Sequence, residues 1–261
     1  MGILNVTPDS FSDGGKFLGF EQALAQARLM VESGAAIIDV GGESTRSGAD
    51  LVSVEEEMRR VVPVVEAISK ELDVMISVDT STPEVMEECV KVGAHLWNDI
   101  RALQRPGAIE MAAKLDVAVC LMHMQGDPKT MQLKPTYNDV VKEVTEFLRE
   151  RATLCEQAGI PKERIILDPG FGFGKTVEDN YLLLNNLSKL TAGTDYHLLS
   201  ALSRKSMIGA ATGQTIAADR VIGSVSAAFY SFMQGAHLVR VHDVEETYEA
   251  LQVFNAIKQY K

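Results

Sequence analysis

The chain has 261 residues, of which 46% are hydrophobic and 23% are charged, and its formal net charge is −11 at pH 7. This composition is typical of a soluble globular protein with one large α/β domain or two small ones. No apolar run approaches the roughly 18 residues that cross a bilayer, and the first residues do not form a signal peptide. An acidic chain without a Lys/Arg cluster is not expected to bind nucleic acid. Three cysteines without CxxC spacing indicate buried thiols in a reducing cytoplasm.

One pattern recurs along the chain. An amphipathic segment ends near a glycine, a short apolar run follows, and that run ends in a polar residue. The pattern predicts eight strands, which lie within "MGILNVT" (1–7), "SGAAIIDVGGEST" (33–45), "VMISVDTST" (74–82), "VGAHLWNDIR" (92–101), "DVAVCLMHM" (116–124), "RIILDPG" (164–170), "HLLSALSRK" (197–205) and "GAHLVRVHD" (235–243).

The segments between these runs have the period of a helix. Their apolar stripes are Phe20, Leu24, Ala27 and Val31, and Val141, Val144, Leu148 and Cys155. Ser53 and Glu56 have the spacing of a capping box, and Thr82-Pro83 predicts a helix start. Eight alternating units in about 260 residues predict a single-domain (β/α)₈ TIM barrel over residues 1–261. The alternative, a doubly wound sheet, usually has five or six strands.

In such a barrel the active site lies at the carboxyl ends of the strands. The polar residues at these ends are Asn5, Asp39, Asp79, Asn98, Asp99, His123, Asp168, Arg204, Lys205, Arg240 and His242. Carboxylates and an amide suit the N–H edge of a nitrogen-rich ring, and the cations suit a phosphate. Some of these residues are expected only to cap helices or fix loops. The remaining histidines at predicted strand starts, and His123 itself, are expected to be structural.

The segment "DPGFGFGKT", residues 168–176, looks like a loop that binds phosphate. A P-loop reads G-x-x-x-x-G-K-[ST], and its first glycine would fall at Pro169. A P-loop also follows the first strand of its fold, whereas this segment follows the sixth. We therefore interpret Lys175 as a loop residue, and the glycines as positions where the backbone passes close to a flat ring.

Eight motifs in this order resemble those of the dihydropteroate synthases of folate biosynthesis. They are "GILNVTPDSFSDGG" (2–15), "IIDVGGESTR" (37–46), "SVDT" (77–80), "NDI" (98–100), "LMHMQG" (121–126), "DPGFGFGK" (168–175), "SRKS" (203–206) and "RVHD" (240–243). The resemblance covers nearly the whole chain. It implies the condensation of 6-hydroxymethyl-7,8-dihydropterin diphosphate with 4-aminobenzoate to 7,8-dihydropteroate and diphosphate, with Mg²⁺ as cofactor. It also implies a homodimer and inhibition by sulfonamides.

The resemblance further implies a role for each residue that matches a family motif. The pterin is expected to bind at Asp79, Asn98, Met122, Asp168 and Lys205. The diphosphate is expected at Asn5, Arg240 and His242, with Asn5 as a ligand of Mg²⁺. The aminobenzoate is expected at Thr45, Arg46, Ser47, Phe173, Lys205 and Ser206. The residues expected to act in catalysis are Asp79, Asp168, Lys205, Arg240 and His242.

The reaction implied in this way suits an S_N1-like path, since no general base for the weakly basic amine is obvious. Two other interpretations remain open at this point. One is a barrel like the methyltetrahydrofolate:corrinoid methyltransferases, and the other is a barrel that binds pterin without catalysis. The apolar residues of the last helices suit either a dimer interface or packing within the barrel. These residues are Phe229, Tyr230, Phe232, Tyr248, Leu251 and Phe254.

The sequence departs from the family pattern at three places. Family members usually have proline where this chain has Ser47, and glycine where it has Ala201. They also usually carry a short segment before the first strand, which helps to close the bottom of the barrel. Because proline fixes φ, serine is expected to loosen the loop that closes over the aminobenzoate. Ala201 is expected to add a methyl group near the floor of the pterin site.

We expect Ser47→Pro to change competition between sulfonamides and aminobenzoate more than it changes turnover, because sulfonamides mimic aminobenzoate at this loop. Sulfonamide Ki, aminobenzoate KM and kcat are measured for the wild type and the variant. An unchanged ratio of Ki to KM would show that Ser47 has no part in discrimination.

Overall fold

The computed structural model describes residues 1–6, 15–43, 52–126, 131 and 135–260, with only the backbone at 15–18. In this part of the chain eight strands alternate with helices. The strands are β1 (Gly2–Asn5), β2 (Ile37–Gly41), β3 (Met75–Asp79), β4 (Leu96–Asp99), β5 (Ala118–Met122), β6 (Ile165–Asp168), β7 (His197–Ser200) and β8 (Leu238–Val239). The helices are α1 (Gly15–Glu32), α2 (Val54–Glu71), α3 (Pro83–Lys91), α4 (Ala108–Leu115), α5 (Val140–Gln157), α6 (Val177–Asn185), α7 (Ser206–Thr212), α8 (Val221–Met233) and α9 (Val244–Lys258).

The eight strands form a closed parallel barrel. Each strand pairs with the next one along the chain, from β1 to β8. The barrel is closed by a parallel bridge between Gly2 and Val241. At this seam the Ile3 N–H donates to the Val241 carbonyl over 3.0 Å, and the Val241 N–H donates to the Met1 carbonyl over 3.0 Å. Closure leaves no sheet edge exposed, and the predicted (β/α)₈ fold is confirmed.

Successive side chains of each strand point alternately into the barrel and toward the helices. In β6, Ile165 and Leu167 belong to the large core that the helices cover. Ile166 instead belongs to a small separate cluster with Leu199 and Ala201. This cluster fills the interior of the barrel below its carboxyl end. A polar residue two positions after an inner apolar residue therefore lies above the cluster, at the mouth of the barrel.

The predicted helical stripes and caps are confirmed in part. Helix α5 buries Val144, Leu148 and Cys155, as its stripe predicts. At the start of α2 the Ser53 side chain accepts the Glu56 N–H over 3.3 Å. The Glu56 carboxylate pairs with arginines of the next turn instead of the cap. The predicted capping box is therefore only half formed.

Thr82 does not make the cap bond that Thr82-Pro83 predicts, although Pro83 is the first residue of α3. Its hydroxyl donates to the Glu57 carboxylate over 3.1 Å and accepts from Arg105 over 2.8 Å. A reciprocal capping box lies instead at Thr176, the last residue of the glycine-rich segment, with Asp179 as its partner. Glu57 belongs to α2 and Arg105 to the loop before α4, so sequence spacing does not reveal these partners of Thr82.

The histidines at the strand starts are structural, as predicted. The His95 Nδ1 atom accepts the Ile76 N–H over 3.1 Å, and the His237 Nδ1 atom accepts the Leu198 N–H over 3.2 Å. Each histidine thus joins neighbouring strands at the bottom of the barrel. The cysteines are buried free thiols, and burial raises the pKa of Cys89 to about 12. Among the helices described, none is long and apolar enough to cross a membrane.

Candidate active site at the carboxyl end of the barrel

Polar side chains from several strands converge at the mouth of the barrel. Their positions follow from the alternation described above, because each one lies two residues after an inward-facing position. They are nearly excluded from solvent, at exposures of 0% to 9% for Asp39, Asp79, Asn98 and Asp168. Burying a carboxylate costs free energy unless hydrogen bonds or an opposite charge compensate it. Their concentration here marks this end of the barrel as the candidate active site.

Arg240, one residue after β8, links three strands across the mouth. Its Nε atom donates to Asp39 Oδ2 over 2.6 Å, and its Nη2 atom donates to Asp79 Oδ2 over 2.9 Å. Asn98 Nδ2 donates to the same Asp39 oxygen over 3.1 Å. Asp39 is therefore the common partner of an arginine and an amide. Sequence reasoning noted its strand end but gave it no role.

The electrostatics of this cluster favour a ligand with N–H groups. Burial raises the pKa of Asp79 to about 7, although the charge of Arg240 acts in the opposite direction. Burial acts against the charge of Arg240, but Asp39 and Asp79 outweigh it and raise the guanidinium pKa above its ordinary value. The cluster thus contains a guanidinium group that stays charged and a carboxyl group whose pKa lies near 7.

Lys205 and Asp168 form the second half of the site. Burial lowers the pKa of Lys205 to about 8, against the opposing effect of Asp168. The Lys205 ammonium donates to the carbonyl of Phe171 and lies 4.9 Å from the centre of the Phe173 ring. Met122 is buried and pairs in register with Asp168. An acid, an ammonium group and two apolar walls therefore meet at one place.

Asn5 and His242 lie on the side of the mouth near β1. Both line a cavity of about 400 Å³, bounded by α1 and also by Arg204. The His242 Nδ1 atom lies 3.0 Å from the Ser203 hydroxyl, which also accepts the backbone N–H of His242 over 3.1 Å. Ser203 thus fixes the orientation of the imidazole. The sequence motif "SRKS" contains Ser203, but its spacing does not reveal this partner.

Two of the polar strand-end residues, Asp99 and Arg204, are held by partners outside the Arg240 and Lys205 clusters. Asp99 faces away from the interior and accepts the N–H groups of Arg101 and Leu103, so it fixes the loop after β4. Arg204 pairs with Asp243 over 3.0 Å. For these two strand ends the structural interpretation holds. Ser206 is exposed at the start of α7. The predicted aminobenzoate residues Thr45, Arg46 and Ser47 lie outside the described residues.

Lys175 is not an ordinary loop residue, because its side chain is buried and makes several hydrogen bonds. It is only 3% exposed. Its ammonium donates to the carbonyls of Gly170 (2.9 Å), Phe173 (3.0 Å) and His123 (3.2 Å), and lies 3.0 Å from His123 Nδ1. His123 is correspondingly structural, as predicted. The sequence resembles a phosphate-binding loop, in which backbone N–H groups point at the ligand. In the structure the carbonyl groups of this loop instead accept from Lys175.

The donors at the mouth fit a lightly held Mg²⁺. Within the described residues, no three His, Cys, Asp or Glu side chains are grouped so as to hold a metal ion. A Cβ atom placed on Gly41 would lie 3.8 Å from Asn5 Oδ1 and 3.7 Å from Asp79 Oδ2, so two oxygens flank this glycine. Mg²⁺ commonly takes one or two protein oxygens and completes its shell with water and substrate phosphates. Asn5 suits that pattern.

Comparison with known proteins places the chain in a class. The sequence profile described as "Pterin binding enzyme" matches residues 1–242. The chain belongs to the pterin binding enzyme family.

Its relatives within that family are dihydropteroate synthases. The chain is 57% identical to the dihydropteroate synthase of Escherichia coli (strain K12) over 98% of its own length and 90% of that protein. It superposes on the Yersinia pestis enzyme in complex with a sulfonamide drug with a TM-score of 0.93, at 52% identity over 99% of this chain and 94% of that one. For the Xanthomonas albilineans enzyme in complex with 7,8-dihydropteroate the TM-score is 0.90, at 46% identity over 99% and 92% of the chains. The resemblance of the motifs is confirmed.

We expect the acid sensitivity of folding to depend on His123. Burial, and then the charge of Lys175, lower the pKa of His123 to about 3, while an unfolded histidine titrates near about 6.5. As pH falls below about 6.5 the unfolded chain takes up a proton that the folded chain does not, so stability falls. Between pH 7 and pH 5 this residue costs about 2 kcal/mol. His123→Asn keeps an acceptor for Lys175 and cannot titrate.

The free energy of unfolding in urea, measured at both pH values, should therefore drop by about 2 kcal/mol less in His123→Asn than in the wild type. An equal drop in the two proteins would show that His123 does not remain neutral in the folded state.

Proposed function

We propose that this chain is a dihydropteroate synthase, which condenses 6-hydroxymethyl-7,8-dihydropterin diphosphate with 4-aminobenzoate to form 7,8-dihydropteroate and diphosphate. The observation that carries the proposal is the buried cluster in which Arg240 bridges Asp39 and Asp79 at the mouth of the barrel. It combines acceptors for a ring edge with a cation for an anionic leaving group. The sulfonamide and dihydropteroate complexes of the similar enzymes support it.

The pterin is held by the deeper residues. The carboxylates of Asp79 and Asp168 accept N–H groups of the ring and its exocyclic amine, and Asn98 supplies an amide that both donates and accepts. Lys205 donates to a ring acceptor, and Met122 packs on the face of the ring. The near-complete burial of the two carboxyls and the amide supports these roles, because a ligand that fills their hydrogen bonds removes the cost of that burial.

The diphosphate is held by Asn5, Arg240 and His242, which border the same side of the mouth. Arg240 already carries a fixed charge, and His242 is oriented by Ser203. Asn5 would contribute an oxygen to Mg²⁺, and the ion would neutralise charge on the diphosphate. The aminobenzoate enters over Phe173 and Lys205, beside Ser206. Thr45, Arg46 and Ser47 are assigned to the same substrate from the family motif alone.

The reaction follows an S_N1-like path. The bond between the CH₂ carbon and the diphosphate oxygen breaks first, and its electron pair leaves with the diphosphate. Arg240 and His242 stabilise this anion, while Asp79 and Asp168 stabilise the positive charge that spreads into the dihydropterin. The aniline nitrogen then bonds to the CH₂ carbon and loses a proton to water. No protein nucleophile takes part.

The two other interpretations are not favoured. A corrinoid-dependent methyltransferase needs pterin carboxylates but not the contacts at Arg240 and His242, and the relatives at 46–57% identity are dihydropteroate synthases. A barrel that only binds pterin does not need Arg240 between the two aspartates, because it has no leaving group to stabilise. The similar enzymes in complex with drug and product support catalysis.

A homodimer and a cytoplasmic location are part of the proposal. On α8 and α9 the large apolar side chains Ile222, Met233 and Val253 are at least half exposed, which supports an interface. Of the aromatic residues considered from sequence, Phe229 and Phe232 pack against Phe254 within the chain. The mass in solution, measured by light scattering, distinguishes a dimer from a monomer.

We expect diphosphate release together with dihydropteroate formation when both substrates and Mg²⁺ are present. Asp79→Asn and Lys205→Met should each lower kcat/KM by about 10²–10³-fold, because each removes a charge that acts on the reacting groups. Asp195→Asn is the matched control, since its side chain is 69% exposed on the surface, and should keep wild-type activity.

Pterin binding without diphosphate release would overturn the synthase and favour the binding barrel. The S_N1-like path is tested separately with deuterium on the reacting CH₂ group. A secondary isotope effect clearly above unity is expected, and a value near unity would contradict the dissociative step.

A further inference from the structure

The glycine-rich segment after β6 directs its carbonyl groups toward two lysines. Lys175 binds the carbonyls of Gly170 and Phe173 from within the protein. Lys205 binds the intervening carbonyl of Phe171 from the side of the mouth. Three carbonyls of one short loop are thus engaged by two ammonium groups. A phosphate loop has the opposite polarity, because there the N–H groups point at the ligand.

The loop is also bonded to the end of β5. Lys175 binds the carbonyl of His123, so one ammonium group joins the two loops. A Cβ atom on Gly170 would lie 2.0 Å from that same carbonyl oxygen, and one on Gly174 would lie 2.4 Å from the Gln125 oxygen. Both glycines have positive φ. The two backbones therefore touch, and the Lys175 side chain donates to carbonyls of both of them.

The residues that this arrangement fixes are those proposed to contact the substrates. Asp168 precedes the loop and accepts the N–H of Gly170 over 2.8 Å. Phe173 lies within the loop, and its ring faces Lys205. Asn180 accepts the N–H of Gly172 over 2.8 Å, which anchors the outer side of the loop to α6. In the described structure Lys175 reaches the mouth residue Phe173 through its backbone carbonyl and not through its side chain.

We propose that Lys175 is a positioning residue for the two substrates. Its hydrogen bonds to the carbonyls of Gly170, Phe173 and His123 hold the loop in the shape that sets Asp168 against the pterin and Phe173 against the aminobenzoate. This inference rests on the proposed function. It gives a positioning role to Gly174-Lys175, the pair that resembles a phosphate-binding motif.

The test compares Lys175→Met and Lys175→Gln with the wild type. Methionine keeps the length of the side chain and removes the donors, while glutamine retains two N–H donors on a shorter chain. We expect Lys175→Met to lower kcat/KM for aminobenzoate by about ten- to a hundredfold, the loss that accompanies a displacement of about 1 Å, mainly through a higher KM. We expect kcat to change less, and Lys175→Gln to fall between the two proteins. Lys189→Met, at an exposed position, is the matched control.

A second measurement does not depend on activity. Amide hydrogen exchange over residues 170–174 should be faster in Lys175→Met, with unchanged exchange in β2 and β3. If the wild type releases diphosphate and Lys175→Met has the same KM and the same exchange, the inference fails while the function stands. If the wild type is inactive, the proposed function fails, and exchange alone decides whether Lys175 holds the loop. A loss of kcat and thermal stability with unchanged KM would make Lys175 merely structural and would also overturn the inference. If Lys175→Met does not fold, Lys175→Gln must show both effects.

Discussion

The buried guanidinium of Arg240 between Asp39 and Asp79 is the interaction on which the mouth of this barrel depends. It joins the end of β8 to β2 and β3, and through Asp39 it also fixes Asn98 on β4. Removing one partner of such a buried pair leaves an uncompensated charge and is strongly destabilising. In the proposed function the same network presents acceptors to the pterin ring and a cation to the leaving diphosphate. Cohesion at this end of the barrel and chemistry therefore use the same side chains.

A second group of buried charges organises the opposite side of the mouth. Burial raises the pKa of Asp168, and the charges of Lys205 and Lys175 both act against this rise. Lys205 donates to the carbonyl of Phe171 and lies beside the Phe173 ring, whereas Lys175 donates to backbone carbonyls and contacts His123. The two halves of the mouth thus follow one rule. Each buried charge has an opposite charge or several dipoles beside it, and the remaining hydrogen-bonding capacity is directed to the ligand.

Much of the fold and of the candidate site could be read from sequence because a parallel barrel has strict periodicities. Alternation in the strands places Asp79, Asn98 and Asp168 on the interior face, and the strand ends place them at one mouth. The apolar stripe of α5 likewise predicts the face that it buries. The hydrogen bonds of Thr82 to Glu57 and of Glu56 to the arginines of the next turn were not predicted, because several partners lie within reach of each side chain. Local spacing shows only the nearest of them.

The sequence by itself determined the eight β/α units, the end of the barrel that carries the site and the residue types that meet there, since these follow from local periodicity and order along the chain. Only the tertiary structure decided which partners pair. Asp39 became the partner of Arg240, 201 positions away in the chain, and Asp99 and Arg204 were assigned to loops. Lys175 was drawn inward because the backbone of its loop turns carbonyls, not N–H groups, toward the centre. Such choices depend on distances between strands and on loop geometry, which a linear pattern does not contain.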